Sequence, residues 1–275
     1  MQLYRNLQKT TQPMEFFHVL TGAFVGFVIG LTGVGGGSLM TPILVLGFGI
    51  NPATAVGTDL LYAAITKSGG VIVHHRHGTV DWRIVTLLAF GSIPASIVTV
   101  LVLESFRTAG VDYEKLMTLT LSIMLILTSL VVFMKNRLVT HLHRKLNDGN
   151  GIISRLLVFR PQITLLAGVM LGFLVTISSV GAGAIGAALL FLLYPRKASI
   201  SIVGTDIAHA VPLTAIAGIG HVHFGSVDFS LLGGLLVGGL PAIYCGSLIG
   251  KHLPDKILRP LVATILLGLG VKFAL

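Results

Sequence analysis

Two stretches decide the fold: Thr32-Gly33-Val34-Gly35-Gly36-Gly37-Ser38 and Ser178-Ser179-Val180-Gly181-Ala182-Gly183. Each interrupts an apolar region, 16–48 and 162–193, that is longer than one bilayer crossing but too short for two, since a crossing helix needs about 20 apolar residues. A glycine-rich break at membrane depth is tolerated only where the freed backbone is buried in protein or lines a cavity. The surrounding composition agrees: of 275 residues 53% are hydrophobic and only 11% charged, with a mean hydropathy of +0.91. A soluble domain carries charge at about a quarter of its positions, so a water-facing surface is excluded. High hydrophobicity excludes disorder, and the 34 glycines follow no Gly-X-Y period, which excludes collagen.

Further segments of crossing length run over 53–73, 82–104, 113–134, 198–220, 227–250 and 255–273. Asp81, Asp228 and Asp255 stand at the heads of three of them, where a carboxylate accepts from the first free N–H groups of a helix. Compared with itself, the chain repeats. Gly22, Gly26, Val34, Gly35 and Gly37 return as Gly168, Gly172, Val180, Gly181 and Gly183, a shift of 146. One residue later in register, Val56-Gly57-Thr58-Asp59 returns as Val203-Gly204-Thr205-Asp206, and Gly78-Thr79-Val80-Asp81 as Gly225-Ser226-Val227-Asp228. The expected organisation is an N-terminal segment 1–15, a first transmembrane repeat 16–134, a basic linker 135–161 and a second repeat 162–275.

If each broken region is a hairpin that leaves and returns on one side, each half makes three crossings more and the halves are inverted. Placing the linker in the cytoplasm then gathers most basic residues on that side, including Arg76, Arg83, Arg196 and Lys197, as the positive-inside rule requires. The expected fold is therefore an all-α polytopic membrane protein of two inverted repeats, each a glycine-broken helical hairpin plus three transmembrane helices. Such repeats are a recurrent plan of secondary transporters, with the site near the midplane at the repeat interface. The net charge of +9 is read as topology-holding charge in a multi-pass protein of the inner cell membrane and not as a nucleic-acid surface, because no basic run carries interleaved aromatics. Arg5 and Lys9 precede an apolar stretch without a small-residue cleavage site, and the stretch is read as a retained first helix. The lone Cys245 leaves the redox compartment open.

The two breaks are the leading site. A helix that starts after a glycine turn presents free N–H donors and a positive dipole end to an anion. Thr32, Gly35, Gly36, Gly37, Ser38 and Thr41 on one side, with Ser178, Ser179, Gly181, Ala182 and Gly183 on the other, are the candidate substrate-binding residues. Thr58-Asp59 and Thr205-Asp206 lie inside apolar segments, where a carboxylate is costly and usually functional. They are candidates for coupling or gating: each could bind a proton or cation, or fix its hairpin by accepting N–H groups. Lys67, whose repeat counterpart is Thr214, offers a cation to an anion in transit. It lies eight positions, about 12 Å, beyond Asp59, too far for a direct pair. His209, one turn from Asp206, is placed to share its proton. His74, His75 and His77 lack the Cys or acidic neighbours of a metal centre, so no metal is expected. Nucleotide-binding spacing is absent too, so no cofactor is expected.

Gly33-Val34-Gly35-Gly36-Gly37-Ser38 with Pro42, then Ala55-Val56-Gly57-Thr58-Asp59, and a weaker second copy through Ser201-Ile202-Val203-Gly204-Thr205-Asp206, resemble the TauE/SafE family of membrane transporters, the sulfite exporters. The likeness extends to length, number of spans and duplication. It implies transport of sulfite or a related organosulfur anion across the lipid bilayer. Protons or sodium are the coupling ions to consider, and the oligomeric state stays open, a homodimer included. Ala182 stands where the first copy has Gly36, so the two breaks are not equivalent. The chain is read as a transporter and not an enzyme; the alternative is a membrane-embedded enzyme or assembly factor built on the carboxylates and histidines.

Overall fold

The structure, a computed structural model, describes the backbone of residues 2–32, 37–147, 158–250 and 255–275, and side chains over 16–31, 38–134, 158–249 and 260–275. Gly35 and Gly36, the Thr32 side chain, the centre of the linker and the cap expected of Asp255 lie outside the described residues. Ten helices are described: α1 (Gln2–Thr32), α2 (Gly37–Phe48), α3 (Pro52–Arg76), α4 (Trp82–Thr108), α5 (Tyr113–Asn147), α6 (Arg160–Ser178), α7 (Ala184–Leu193), α8 (Ser199–His223), α9 (Phe229–Gly250) and α10 (Asp255–Ala274).

Local chemistry sets their ends. Asn51 caps α3 by accepting from Ala53 N at 2.8 Å, with Pro52 preset for the first helical position. Asp81 accepts from Arg83 N and Ile84 N at 3.1 and 3.4 Å, and Asp228 from Ser230 N and Leu231 N at 2.9 and 3.0 Å. Both are caps, as the sequence suggests. The stops of α3 and α8 are matched as well. Gly78 and Gly225 take φ of 63° and 70°, the left-handed turn for which glycine has no Cβ penalty. Thr79 N then closes onto His74 O, and Ser226 N onto His221 O, at 3.0 and 2.9 Å.

Packing follows the same repeat. α1 lies against α9, and α6 against α4. Glycines let the backbones touch: a Cβ at Gly22 would sit 2.2 Å from Leu235 O, and one at Gly168 would sit 2.4 Å from Leu88 O. Gly26 meets Gly239 as Gly172 meets Ser92. This is small-residue association, the usual means of bringing helices together in lipid. α3 packs on α8 and α5 on α10, both antiparallel. Gly57 faces His221 and Ser226 while Gly204 faces His74 and Thr79. Ser122 and Ser129 Oγ donate to Gly270 O and Ala263 O at 2.8 and 2.7 Å. Thr58 Oγ1 accepts from Asp228 N at 3.1 Å and Thr205 Oγ1 from Asp81 N at 2.9 Å, so each half fastens the other's helix cap. Leu44, Leu60, Leu121, Leu171, Leu213 and Leu235 are buried in the common core, whereas Phe90, Phe173, Ile219 and Val237 point outward.

Depth can be read from α4. Thr176 Oγ1, near the end of α6, donates to Ser96 Oγ at 2.7 Å, and Ser96 stands near the middle of the 27-residue α4. The break that follows therefore lies halfway along a crossing helix. α7 has ten residues, about 15 Å, which is half a hydrocarbon core. α6 begins along the first turns of α4, and α8 begins beside Thr79 at the end of α3; the chain from α6 to α8 thus returns to the face it left.

Among the described residues five helices are long and apolar enough to cross a bilayer: Trp82–Thr108, Tyr113–Met134, Arg160–Ser178, Ser199–His223 and Phe229–Ile249. Two segments expected to be spans are not among them: 53–73 forms α3, whose polar Thr58, Asp59, Lys67 and Ser68 lower its hydropathy, and 255–273 falls in α10, whose described apolar stretch is the shorter Pro260–Ala274.

At the face where α3 and α4 join, Asp81 and Lys197 form an ion pair at 2.5 Å. Partial burial pushes the Asp81 carboxyl up, but the Lys197 ammonium and the N–H groups of Ile84 and Arg83 outweigh it and hold the carboxyl below its usual range. A lowered folded-state value stabilises above the ordinary carboxylate range and is lost as pH falls through the lowered one. The pair is partly exposed, so its worth is at most about 1 kcal/mol. Lys197→Met is expected to lower Tm slightly at pH 7 and to leave it unchanged at a pH acid enough to protonate Asp81. Thermal unfolding of the detergent-solubilised protein at both pH values checks this.

Candidate functional site

The two half-length helices, α2 and α7, begin at the breaks, and each meets a carboxylate of the following helix. Asp59, 0% exposed, accepts from Thr41 Oγ1 on Oδ2 at 2.6 Å. Asp206, 3% exposed, lays Oδ1 over Gly186 in the first turn of α7, where a Cβ would come within 2.1 Å. Each carboxylate thus lies at the positive end of its own half's short helix. That is one physical reason a carboxylate is tolerated here. Ser38 and Thr41 are buried in the opening turns of α2.

The second break is built tightly. Ser179 ends α6 at φ 58°, and Gly181 and Gly183 take φ of 117° and 137°, values that disfavour any side chain. Ser178 Oγ shapes the turn by accepting from Val180 N at 3.2 Å and donating to Leu174 O at 2.7 Å. Met124 of α5 closes over Gly181. Ser179 Oγ is left facing the Asp59 carboxylate. Its hydroxyl stands within reach of that group and can donate to it, as Thr41 Oγ1 does.

Lys67 reaches across the repeat boundary. Its Nζ donates to Ala182 O, at the tip of the second break, at 2.6 Å. It is drawn electrostatically by Asp206 and, less, by Asp59, and it makes no direct ion pair with Asp59, as its helical spacing requires. The counterpart Thr214 instead turns its hydroxyl back to Ala210 O at 2.8 Å. The described centre is therefore asymmetric: one ammonium, belonging to the first half, sits on the backbone of the second.

Other candidates are placed elsewhere. His209 Nε2 pairs with Ser92 Oγ of α4 at 2.8 Å, a contact the sequence did not suggest. Thr58 and Thr205 hold helix caps, as above. Ser92 and Ser96, with Thr99, are buried on one face of α4, and their four- and three-residue spacing in an apolar span was the signal available for them. His74 Nδ1 lies 2.8 Å from Thr79 Oγ1, and His77 Nδ1 lies 2.8 Å from Val73 O. His75 packs edge-on against Trp82. Among the described residues no three His, Cys, Asp or Glu side chains converge as a metal site would need.

Helices broken at mid-depth, cross-packed halves and charged groups at the centre define a polytopic membrane transporter. The chain matches the family described as Sulfite exporter TauE/SafE over residues 18–273, and it belongs to that family. It is 39% identical over 254 residues to a probable membrane transporter protein, YjnA, of Bacillus subtilis, covering 92% of this chain and 97% of the relative. A second Bacillus subtilis protein of the same description, YdhB, is 28% identical over 90% of this chain and 98% of its own. A probable membrane transporter protein of Xylella fastidiosa is 23% identical over 89% and 90% respectively. No solved structure matches. The protein is a membrane transporter and not an enzyme.

Proposed function

We propose that the protein exports a small anion, sulfite or a related organosulfonate, by alternating access between two inverted repeats. The single observation that carries the reading is the Lys67 ammonium held on Ala182 O at the tip of a break, halfway along α4. There it stands beside helix starts that offer N–H donors to an anion. The antiparallel packing of α3 on its own counterpart α8 supports inversion, because a two-fold axis between antiparallel equivalents runs across them. Thr32, Gly35, Gly36, Gly37, Ser38 and Thr41 from the first break, with Ser178, Ser179, Gly181, Ala182 and Gly183 from the second, form the anion site; Asp59 and Asp206 flank it. The host is the inner cell membrane, with the basic linker 135–161 in the cytoplasm. Purified protein in liposomes is expected to exchange labelled sulfite or a short alkanesulfonate for the unlabelled anion. The reading is overturned if exchange of every sulfur oxyanion tried equals that of empty liposomes while the protein is folded.

A further inference from the structure

We infer that α7, the returning arm of the second break, is a gate on the face where α6 and α8 begin, and that the Lys197–Asp81 ion pair is its latch. The gate belongs to the anion-transport reading and rests on it. The inner end of α7 starts at the tip of the break, and its outer end reaches that face, where the Lys197 side chain is 38% exposed. Three layers hold this arm to the first half. At the inner end Lys67 Nζ donates to Ala182 O at 2.6 Å. Along the arm, Ala187, Leu190 and Phe191 form an apolar cluster with Ile84 and Leu88 of α4 and Ile202 of α8. At the outer end Lys197, in the turn that leaves α7, pairs with Asp81 between α3 and α4 at 2.5 Å. Within its own hairpin the arm adds one neutral bond, Tyr194 OH to Thr164 Oγ1 at 2.9 Å.

The first break is held differently. The positions equivalent to Lys67 and Lys197 are Thr214 and Ile50, and neither carries charge. The residues equivalent to Ile84, Leu88, Leu190 and Ile202 are Leu231, Leu235, Leu44 and Ala55, and all four belong to the common core. The cluster under α7 is separate from that core, with the half-buried Leu189 touching both. The turn after α2 is tied within its own half, where Asn51 Nδ2 donates to Glu114 Oε1 of α5; the turn after α7 is latched across the molecule. An arm seated on a small cluster of its own can leave it without opening the common core. Its hinge is at hand: Gly181 and Gly183, at φ of 117° and 137°, stand at the inner end, and hinges lie at the ends of elements. The frame stays fastened meanwhile, since Asp81 N donates to Thr205 Oγ1 at 2.9 Å and Ser92 Oγ meets His209 Nε2 at 2.8 Å. Asp81 also divides its work. Oδ1 caps α4 while Oδ2 takes Lys197, so the latch opens without unwinding a helix. A partly exposed ion pair is weak, which suits a bond broken in every cycle.

Two measurements on the full-length Cys245→Ser protein test this. The first is the rate at which a charged, water-soluble maleimide alkylates Ala187→Cys in detergent, with no substrate added. Lys197→Met is expected to raise that rate several-fold and Lys197→Glu, which repels Asp81, to raise it further; Lys197→Arg should stay near the parent. Ala55→Cys, in the seat of the first hairpin, should be alkylated at one slow rate whatever stands at 197. Equal rates at Ala187→Cys for all four residues at 197, or equal acceleration at Ala55→Cys, overturn the latch. The second is sulfite exchange in proteoliposomes, which Lys197→Glu is expected to lower several-fold because the arm must close in each cycle. Exchange indifferent to Lys197→Glu while alkylation accelerates overturns the gate. Absence of sulfite exchange in the parent, with the alkylation pattern as expected, overturns the anion reading and leaves the latched arm standing.

Discussion

Lys67→Met is expected to reduce sulfite exchange in proteoliposomes by roughly 10- to 100-fold. A hydrogen bond to a charged group is worth about 1.5–3 kcal/mol, and each 1.4 kcal/mol is a factor of about ten. Nζ holds Ala182 O at 2.6 Å, so its loss frees the tip of the second break. The ammonium is also the one cation among the described groups of the centre, standing against Asp59 and Asp206. Without it an anion approaches two uncompensated carboxylates. Lys67→Arg keeps the charge but exchanges a compact ammonium for a planar fork, so it should recover part of the exchange. Thr214→Val, at the pseudo-equivalent position, removes only a hydroxyl bonded within its own helix and should change flux less than twofold. Equal losses from Lys67→Met and Thr214→Val would reject the assignment of positive charge to one half. Thermal unfolding of each variant separates lost binding from lost folding.

Much of this fold was legible because glycine recurs for a reason that survives in the structure. The repeat that relates Gly22 to Gly168, at a shift of 146, also relates Leu88 to Leu235, at a shift of 147, and those are the backbones the two glycines touch. Asp81 and Asp228 were legible as caps because the cap bond is local. The centre was legible only as an inventory. Helical spacing places Lys67 too far from Asp59 for a pair, and it makes none. That its partner would be a main-chain oxygen 115 residues away has no trace in periodicity, since a carbonyl is common to every residue type. His209 shows the same limit: nothing in its spacing points to Ser92, which meets its Nε2. Thr58 and Thr205 sit beside the carboxylates in sequence, yet their hydroxyls face the caps of the opposite half. Period tells which residues share a face; the helix that occupies that face is decided by the whole chain.

The glycines of α9 supply the second large effect, with opposite outcomes on one helix. A Cβ at Gly238 would sit 1.9 Å from Val19 O and 2.8 Å from Val19 C. Both are backbone atoms, which cannot swing away as a side-chain tip can. Gly238→Ala must therefore push α1 from α9 along the seam that also holds Gly22, Gly26 and Gly246. Overpacking costs about 1–3 kcal/mol and sometimes more; a clash of main chain with main chain belongs at the upper end. Gly233, five residues earlier, is exposed with nothing near its added Cβ. There alanine removes only backbone freedom, worth up to about 1 kcal/mol in a helix, so Gly233→Ala should be neutral or slightly stabilising. Gly172→Ala, whose Cβ would meet Ser92 O at 2.3 Å, should reproduce the Gly238→Ala loss at the matching α4–α6 seam. Thermal unfolding in detergent reads all three. If the two repeats share one packing solution, the two seam variants fall together, and transport falls with them because both seams carry a broken hairpin. A Gly238→Ala protein as stable as Gly233→Ala would mean that α1 and α9 do not touch through their backbones.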